Sequence, residues 1–200
     1  MYMNKVEQLK VLHGCMEDCK RCTLYKHRNN LVDFRGNPHA KVVLVGEGPG
    51  TKEDDKGIPF IGPSGSKVEK ACVKLGIDTD KDTFIINSVR CHPRHNATPT
   101  TAQLSACKRW LLAQLCVVRP KLVITLGSPA GMVLSRNWRF KVTEQRGIIQ
   151  EVQFISRIID NPLQTKLLHT YHPMYVVRQH SEEVTAQWMK DLAVATEFLN

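Results

Sequence analysis

The chain has 200 residues, 42% hydrophobic and 24% charged, which suits one globular domain with room for a core. Lys and Arg outnumber Asp and Glu by 28 to 19, and the net charge of +9 favours a polyanionic partner. No apolar run approaches the roughly 20 residues of a membrane span, and residues 1–15 lack a secretory leader's apolar core, so a protein of the cytoplasm or nucleoid is expected.

Residues 4–12 carry apolar side chains at helical spacing and predict a short helix. It leads into Cys15-Met16-Glu17-Asp18-Cys19-Lys20-Arg21-Cys22. Residues 23–40 are polar and turn-rich. The β-branched run at 42–45 reads as a buried strand. It ends in Gly46-Glu47-Gly48-Pro49-Gly50, where glycines let the backbone approach a ligand and Glu47 supplies a lone carboxylate. A second turn at 57–62 sets Phe60 between two glycines. Ser64 or Ser66 is placed to cap the next helix, whose apolar face carries Val68, Ala71, Cys72 and Leu75. Residues 83–89 form a second strand and 92–100 a proline-marked loop. Thr100 or Thr101 opens a helix to about Val118. A third strand at 122–126 is closed by Gly127, and Ser128 or Pro129 begins another helix. Residues 147–149 and 152–155 are candidates for a strand pair, and 166–171 for a strand ending at His172-Pro173. Residues 181–199 read as a closing helix.

Strands alternating with helices predict a three-layer αβα fold, with a central, mostly parallel four-stranded sheet in one domain spanning 1–200. In such folds ligands bind beyond the carboxyl ends of the strands. Glu47, Asn87, Gly127 and His172 all fall at or just past those ends. Seven cysteines, an odd number without a secretory leader, argue against a disulfide framework and for a metal or cluster on a subset. Cys19, Cys22, Cys91 and Cys107 give four thiolates from two distant segments. Spacing alone leaves a [4Fe–4S] cluster and a structural Zn²⁺ both open, and Cys15 leaves a second ligand pairing open. Cys72 and Cys116 fall on apolar helix faces as core residues.

Over residues 12–200 the chain resembles the uracil-DNA glycosylases, specifically the family-4 type that carries an iron–sulfur cluster. The resemblance rests on ordered motifs: the Cys19-x-x-Cys22 start, GEGPG at 46–50, GIPFIGPSG at 57–65, INSVRCHP at 86–93, Cys107, PKLVITLG at 120–127 and TYHP at 170–173. It implies a monomeric DNA-repair enzyme that hydrolyses the bond between uracil and deoxyribose in single- or double-stranded DNA, leaving an abasic site without strand cleavage. It implies a structural [4Fe–4S] cluster on Cys19, Cys22, Cys91 and Cys107.

The same resemblance distributes roles. Asn87 reads uracil O4 and N3, because one carboxamide offers a donor and an acceptor. Phe60 stacks on the extruded base, and the amides around Gly46 and Gly48 contact it. His172 donates to O2 as charge develops there. Glu47 activates the water or orders the glycine turn. Ser64, Gly65, Pro173 and Arg178 contact DNA, and Arg178, Val177 or Met174 fills the space the base vacates. The sequence departs from the family where Asn96 is followed by Ala97 instead of Arg, which leaves any phosphate contact there to Arg94. His95 lies in the loop that in a related subclass traps uracil covalently, but the Arg-rich insertion of that subclass is absent. Two other readings stand beside this one: a non-catalytic DNA- or uracil-binding module on the same fold, and a glycosylase for another deaminated base such as hypoxanthine.

Overall fold

The computed structural model describes residues 3–199. Its centre is a sheet ordered β1-β3-β2-β4-β6-β5. The strands are β1 (Phe34–Gly36), β2 (Val42–Gly46), β3 (Thr83–Asn87), β4 (Leu122–Leu126), β5 (Gln150–Phe154) and β6 (Leu163–Thr170). The middle four run parallel, and the two edges are antiparallel. The four-stranded expectation is therefore met by the parallel core and corrected to six by the edges. β1 escaped notice because it is three half-buried residues long. The expected 147–149 and 152–155 pair is replaced by β5 against β6, with Val152 opposite Thr165. Ile148 and Ile149 are exposed, and Gly147, at φ +74°, turns there to donate its N–H to the His169 carbonyl.

Both faces of the sheet are covered, so its central strands are buried throughout and show no polar alternation. The period-2 geometry survives in the packing. Val43, Val45, Phe84, Ile86 and Val123 meet one helix layer, and Val42, Leu44, Ile85, Leu122 and Ile124 meet the other. The first layer contains α1 (Lys5–Glu17), α4 (Thr101–Val118) and α5 (Ser128–Ser135). The second contains α3 (Pro63–Lys74), α7 (Pro173–Gln179) and α8 (Glu182–Ala193), with a short 3₁₀ turn, Val194–Phe198, continuing the tail. Two shorter helices, α2 (Thr51–Lys56) and α6 (Val142–Gln145), lie in connections. Each fully buried Val, Leu or Ile contributes about 1.5–3 kcal/mol, so these two layers dominate stability.

Side-chain caps begin several of the helices. Asn4 and Thr100 form capping boxes with Glu7 and Gln103, and Ser181 accepts from the Val184 N–H. α1 runs on to Glu17, past the expected end at Leu12. α3 starts at Pro63 behind Gly62, so Ser64 and Ser66 lie inside the helix and do not cap it.

The chain leaves β2 for β3 on one side, then crosses to β4 and β6 on the other. The direction of winding therefore reverses beside β2. An open α/β sheet leaves a crevice at that switch point, beyond the strand ends.

Candidate active site

That crevice is a cleft of about 710 Å³. Twelve of the sequence-derived residues meet there or on its wall: Gly46, Glu47, Gly48, Phe60, Ser64, Gly65, Asn87, His172, Pro173, Arg178 and, of the other base-replacement and loop candidates, Met174 and Asn96. Val177 is not among them and is exposed. Arg94 is exposed in the neighbouring 3₁₀ turn. Sequence reading missed Glu53, Thr98, Lys52, Ser128 and Val142, which also line the cleft.

The floor is built from the ends of β2 and β3. Gly46 pairs with Asn87 across the sheet. A Cβ at Gly46 would stand 2.5 Å from Asn87 Oδ1 and 2.6 Å from the Phe60 ring, so only glycine admits both side chains. Beyond the strands, Ser88 N–H and Oγ–H both donate to the Gly46 carbonyl at 2.8 Å. Asn87 is 2% exposed, and its Nδ2 is buried without a hydrogen-bond partner. A buried amide left so costs about 1–3 kcal/mol. It is not capping the strand end; its donor is free.

Phe60 sits at φ +61°, a backbone region that a bulky residue rarely adopts. Arg35 Nη1 donates to its carbonyl at 3.1 Å, and the backbone of Gly65 presses so close that no Cβ fits between them. Glu53 ties the two glycine turns together: its buried carboxylate accepts from Gly62 N–H at 2.7 Å and Gly50 N–H at 3.1 Å.

On the opposite wall, His172 caps α7, its Nδ1 accepting from the Met174 N–H at 3.2 Å. Burial, aided by the Arg178 charge, lowers its pKa to about 4. The ring is therefore neutral at pH 7, and its proton is on Nε2. Glu47 is shifted the other way. Burial raises its carboxyl above the usual range, while a hydrogen bond with Thr98 and the Arg178 charge pull it back.

A second constellation lies under the exit from β3. Cys19 and Cys22, half-buried, and Cys91 and Cys107, buried, line one small pocket with Met16, Tyr25 and Trp110. Cys15 is exposed on α1, and Cys72 and Cys116 are core residues. Arg28 Nη1 donates to Cys91 Sγ at 3.3 Å. Burial raises the Cys91 thiol and pushes Cys107 up to about 12. Among the described residues, no three His, Cys, Asp or Glu side chains come close enough to chelate one ion. Between pocket and cleft, buried Arg90 donates to the Asn87 carbonyl and to Gln114 Oε1, and Gln114 donates to Asp33 at 2.5 Å.

Comparison with known proteins is consistent across the chain. Residues 34–196 match the model of the Uracil DNA glycosylase superfamily. The chain is 31% identical to the Type-4 uracil-DNA glycosylase of Thermotoga maritima, over 96% of this chain and 95% of the relative. It is 33% identical to that of Pyrobaculum aerophilum, over 93% and 92%, and 31% identical to that of Archaeoglobus fulgidus, over 80% and 78%.

Proposed function

The chain belongs to the Uracil DNA glycosylase superfamily, and from that premise we propose a chemical role for each group around the cleft. The protein is a DNA-repair enzyme, a uracil-DNA glycosylase. The observation that carries the assignment of roles is the unpartnered Asn87 Nδ2, buried beside Phe60 in the cleft floor. Uracil supplies what that carboxamide lacks: O4 accepts from Nδ2, and N3–H donates to Oδ1. Cytosine reverses both groups and leaves donor facing donor, a mismatch a hydrogen-bonding site rejects strongly. Phe60 stacks on the base for about 1–3 kcal/mol, with the Gly46 and Gly48 backbone against its edge.

Chemistry follows on the other wall. As the C1′–N1 bond breaks, its electron pair goes to uracil and negative charge builds on O2. The His172 Nε2–H donates a hydrogen bond there without giving up its proton, the role of a preorganised oxyanion donor. Water adds to the cationic C1′ and loses a proton to Glu47 or to solvent. Uracil leaves as the anion and is protonated in water, and the sugar remains as an abasic site. The strand stays intact; Lys52, on the cleft's rim, is exposed in α2 and not on the floor.

DNA reaches this site across the first turn of α3 at Ser64 and Gly65, where amide N–H groups lack intrahelical acceptors, and across Pro173 and Arg178. Met174 or Arg178, on the cleft wall, fills the space of the extruded base. The protein is proposed to act as a monomer built as one domain. A DNA substrate puts its work in the nucleoid. No described helix is long and apolar enough to cross a membrane.

Cys19, Cys22, Cys91 and Cys107 fit a [4Fe–4S] cluster, because all four thiols line one pocket. Bound there, the cluster would be structural, cross-linking the N-terminal segment to the loop after Asn87. Iron and sulfide analysis with absorbance near about 400 nm tests it. Cys15→Ser should keep the iron and Cys19→Ser lose it; an active, colourless, zinc-loaded protein would overturn it.

The activity test uses labelled duplexes containing U·G, U·A, hypoxanthine or T·G, followed by alkali. Cleavage at uracil alone is expected. Cleavage at hypoxanthine alone would point to the other base, and binding without product to a non-catalytic module.

A further inference from the structure

The net charge of +9 is not spread over the chain. Between Thr83 and Thr143 there are nine Lys and Arg and no Asp or Glu, so the rest of the chain is balanced at 19 against 19. This acid-free stretch runs from β3 through α4, β4 and α5 to the turn at 136–141, Arg-Asn-Trp-Arg-Phe-Lys. Arg136, Asn137, Trp138 and Arg139 are all exposed, Trp138 at 41%. The other two tryptophans, Trp110 and Trp188, are buried.

The turn is built, not loose. Ser135 Oγ–H donates to the Gly131 carbonyl at 2.7 Å. Asn137 accepts from Arg139 N–H at 3.0 Å through its side chain and from Phe140 N–H at 3.1 Å through its carbonyl. Phe140 is 4% exposed, packed on Gly131 of α5 and edge-on to His169 at 4.5 Å between centroids. With Phe140 as anchor, the turn leaves Trp138 exposed, with Arg136 and Arg139 exposed close to it in sequence. Arg136 and Arg139 have no ion-pair partner among the described residues; Lys141, by contrast, is paired with Glu144 at 2.9 Å.

Two residues after Phe140, Val142 lines the uracil cleft, and Ser128 at the head of α5 lines it too. Val142 is four positions on from Trp138, a reach of at most about 14 Å at about 3.3–3.6 Å per residue. A strand whose uracil lies in the cleft therefore passes within a few nucleotides of the indole. An exposed indole flanked by unpaired cations is the arrangement that binds single-stranded nucleic acid, stacking on a base while the cations meet phosphates.

We propose that the Arg136–Lys141 turn is a second DNA site: Trp138 stacks on an unpaired base flanking the uracil, and Arg136 and Arg139 neutralise the adjoining phosphates. The identity of the ligand as DNA rests on the glycosylase function; the platform itself is a separate piece of surface. It extends the grip beyond the extruded base and favours single-stranded substrate.

Binding of a uracil-free thymidine pentadecanucleotide, followed by tryptophan fluorescence, tests this without relying on activity. Trp138 is the exposed indole, so the oligonucleotide quenches the wild type, and Trp138→Ala removes the quenching and weakens binding about tenfold. Trp138→Phe retains most of the affinity. Arg136→Ala with Arg139→Ala lowers the slope of log affinity against log salt by about 1.4. Uracil release from a trinucleotide with uracil at its centre, too short to reach the turn, is unchanged in every variant, while kcat/KM on the pentadecanucleotide falls about tenfold. Undiminished binding by Trp138→Ala, or an equal loss on fully paired duplex, would overturn the proposal. A wild type that releases no uracil from either length would sink the glycosylase function instead, and the fluorescence result would still judge the platform.

Discussion

His169 and His172 stand three residues apart at the end of β6, and burial lowers both to a pKa of about 4. They differ in what each ring faces. His169 shares a hydrogen bond of 2.6 Å with Thr125 Oγ1 through Nδ1, and its Nε2 is enclosed without a partner beside Phe140. His172 has Nδ1 occupied by the Met174 N–H and lies on the wall of an open cleft. A neutral imidazole is common to both; a free N–H aimed at space for a ligand belongs only to His172. A perturbed pKa therefore marks burial here, and geometry separates the ring proposed as catalytic from the enclosed one.

The largest effect that tests this contrast is on kcat. His172→Ala should lower kcat by about 10²–10³ on uracil-containing DNA, the usual loss of one oxyanion donor. Its lost cap on α7 should cost about 1 kcal/mol of stability, read separately by urea unfolding. His169→Ala should do the reverse: a stability loss of about 2–4 kcal/mol from a buried, packed ring, with kcat of the folded fraction within about twofold. Equal kcat losses from the two would erase the distinction.

A second test uses pH. The unfolded chain binds a proton at each histidine near pH 6.5, the folded chain only near 4. Between those values the unfolded state holds more protons, so stability falls as pH falls. The contribution is complete above about pH 6.5 and lost by about pH 4, and amounts to about 3 kcal/mol per ring. Glu47, whose carboxyl is raised, opposes this trend. Urea midpoints should drop steeply from pH 6.5 to 4.5 in the wild type, and by about half as much in His169→Ala. A flat profile would mean that the rings are accessible to protons in the fold.

Much of this was legible in the sequence for a physical reason. Parallel strands buried on both faces read as apolar runs, and their ends carry the glycines and polar groups that line the cleft. The parts that were not legible lack an apolar signal. The buried residues of α2 are Glu53 and Asp54. Glu53 clamps two glycine turns, and Asp54 accepts from the Asn29 and Asn30 N–H groups. A helix that buries carboxylates has no hydrophobic period to detect. β1 is too short to show alternation, and β5 finds its partner across the loop at 155–162 instead of in the nearer run at 147–149. The cysteines illustrate the same limit: spacing left Cys15 and Cys19 equivalent, and helix α1, longer than its apolar pattern, carries Cys15 outward on its exposed face.

The smallest effect concerns Glu47, the third titratable group of the cleft. Cleavage of a glycosidic bond passes through an oxocarbenium-like state, and such a carbon needs little help from a base to capture water. Glu47→Gln preserves the size of the side chain and its reach to Thr98, and removes only the charge. Its single-turnover rate should therefore fall about tenfold or less, well short of the His172→Ala loss. The pH profile then separates the two explanations for whatever loss is seen. If the carboxylate takes the water's proton or stabilises the sugar cation, wild-type activity declines on the acid side as Glu47 protonates, above the ordinary carboxylate range, and that limb disappears in Glu47→Gln. If Glu47 only orders the Gly46–Gly50 turn, the variant loses rate equally at every pH. A loss matching that of His172→Ala would make the two walls equal partners, with charge at the sugar weighing as much as charge on the leaving base.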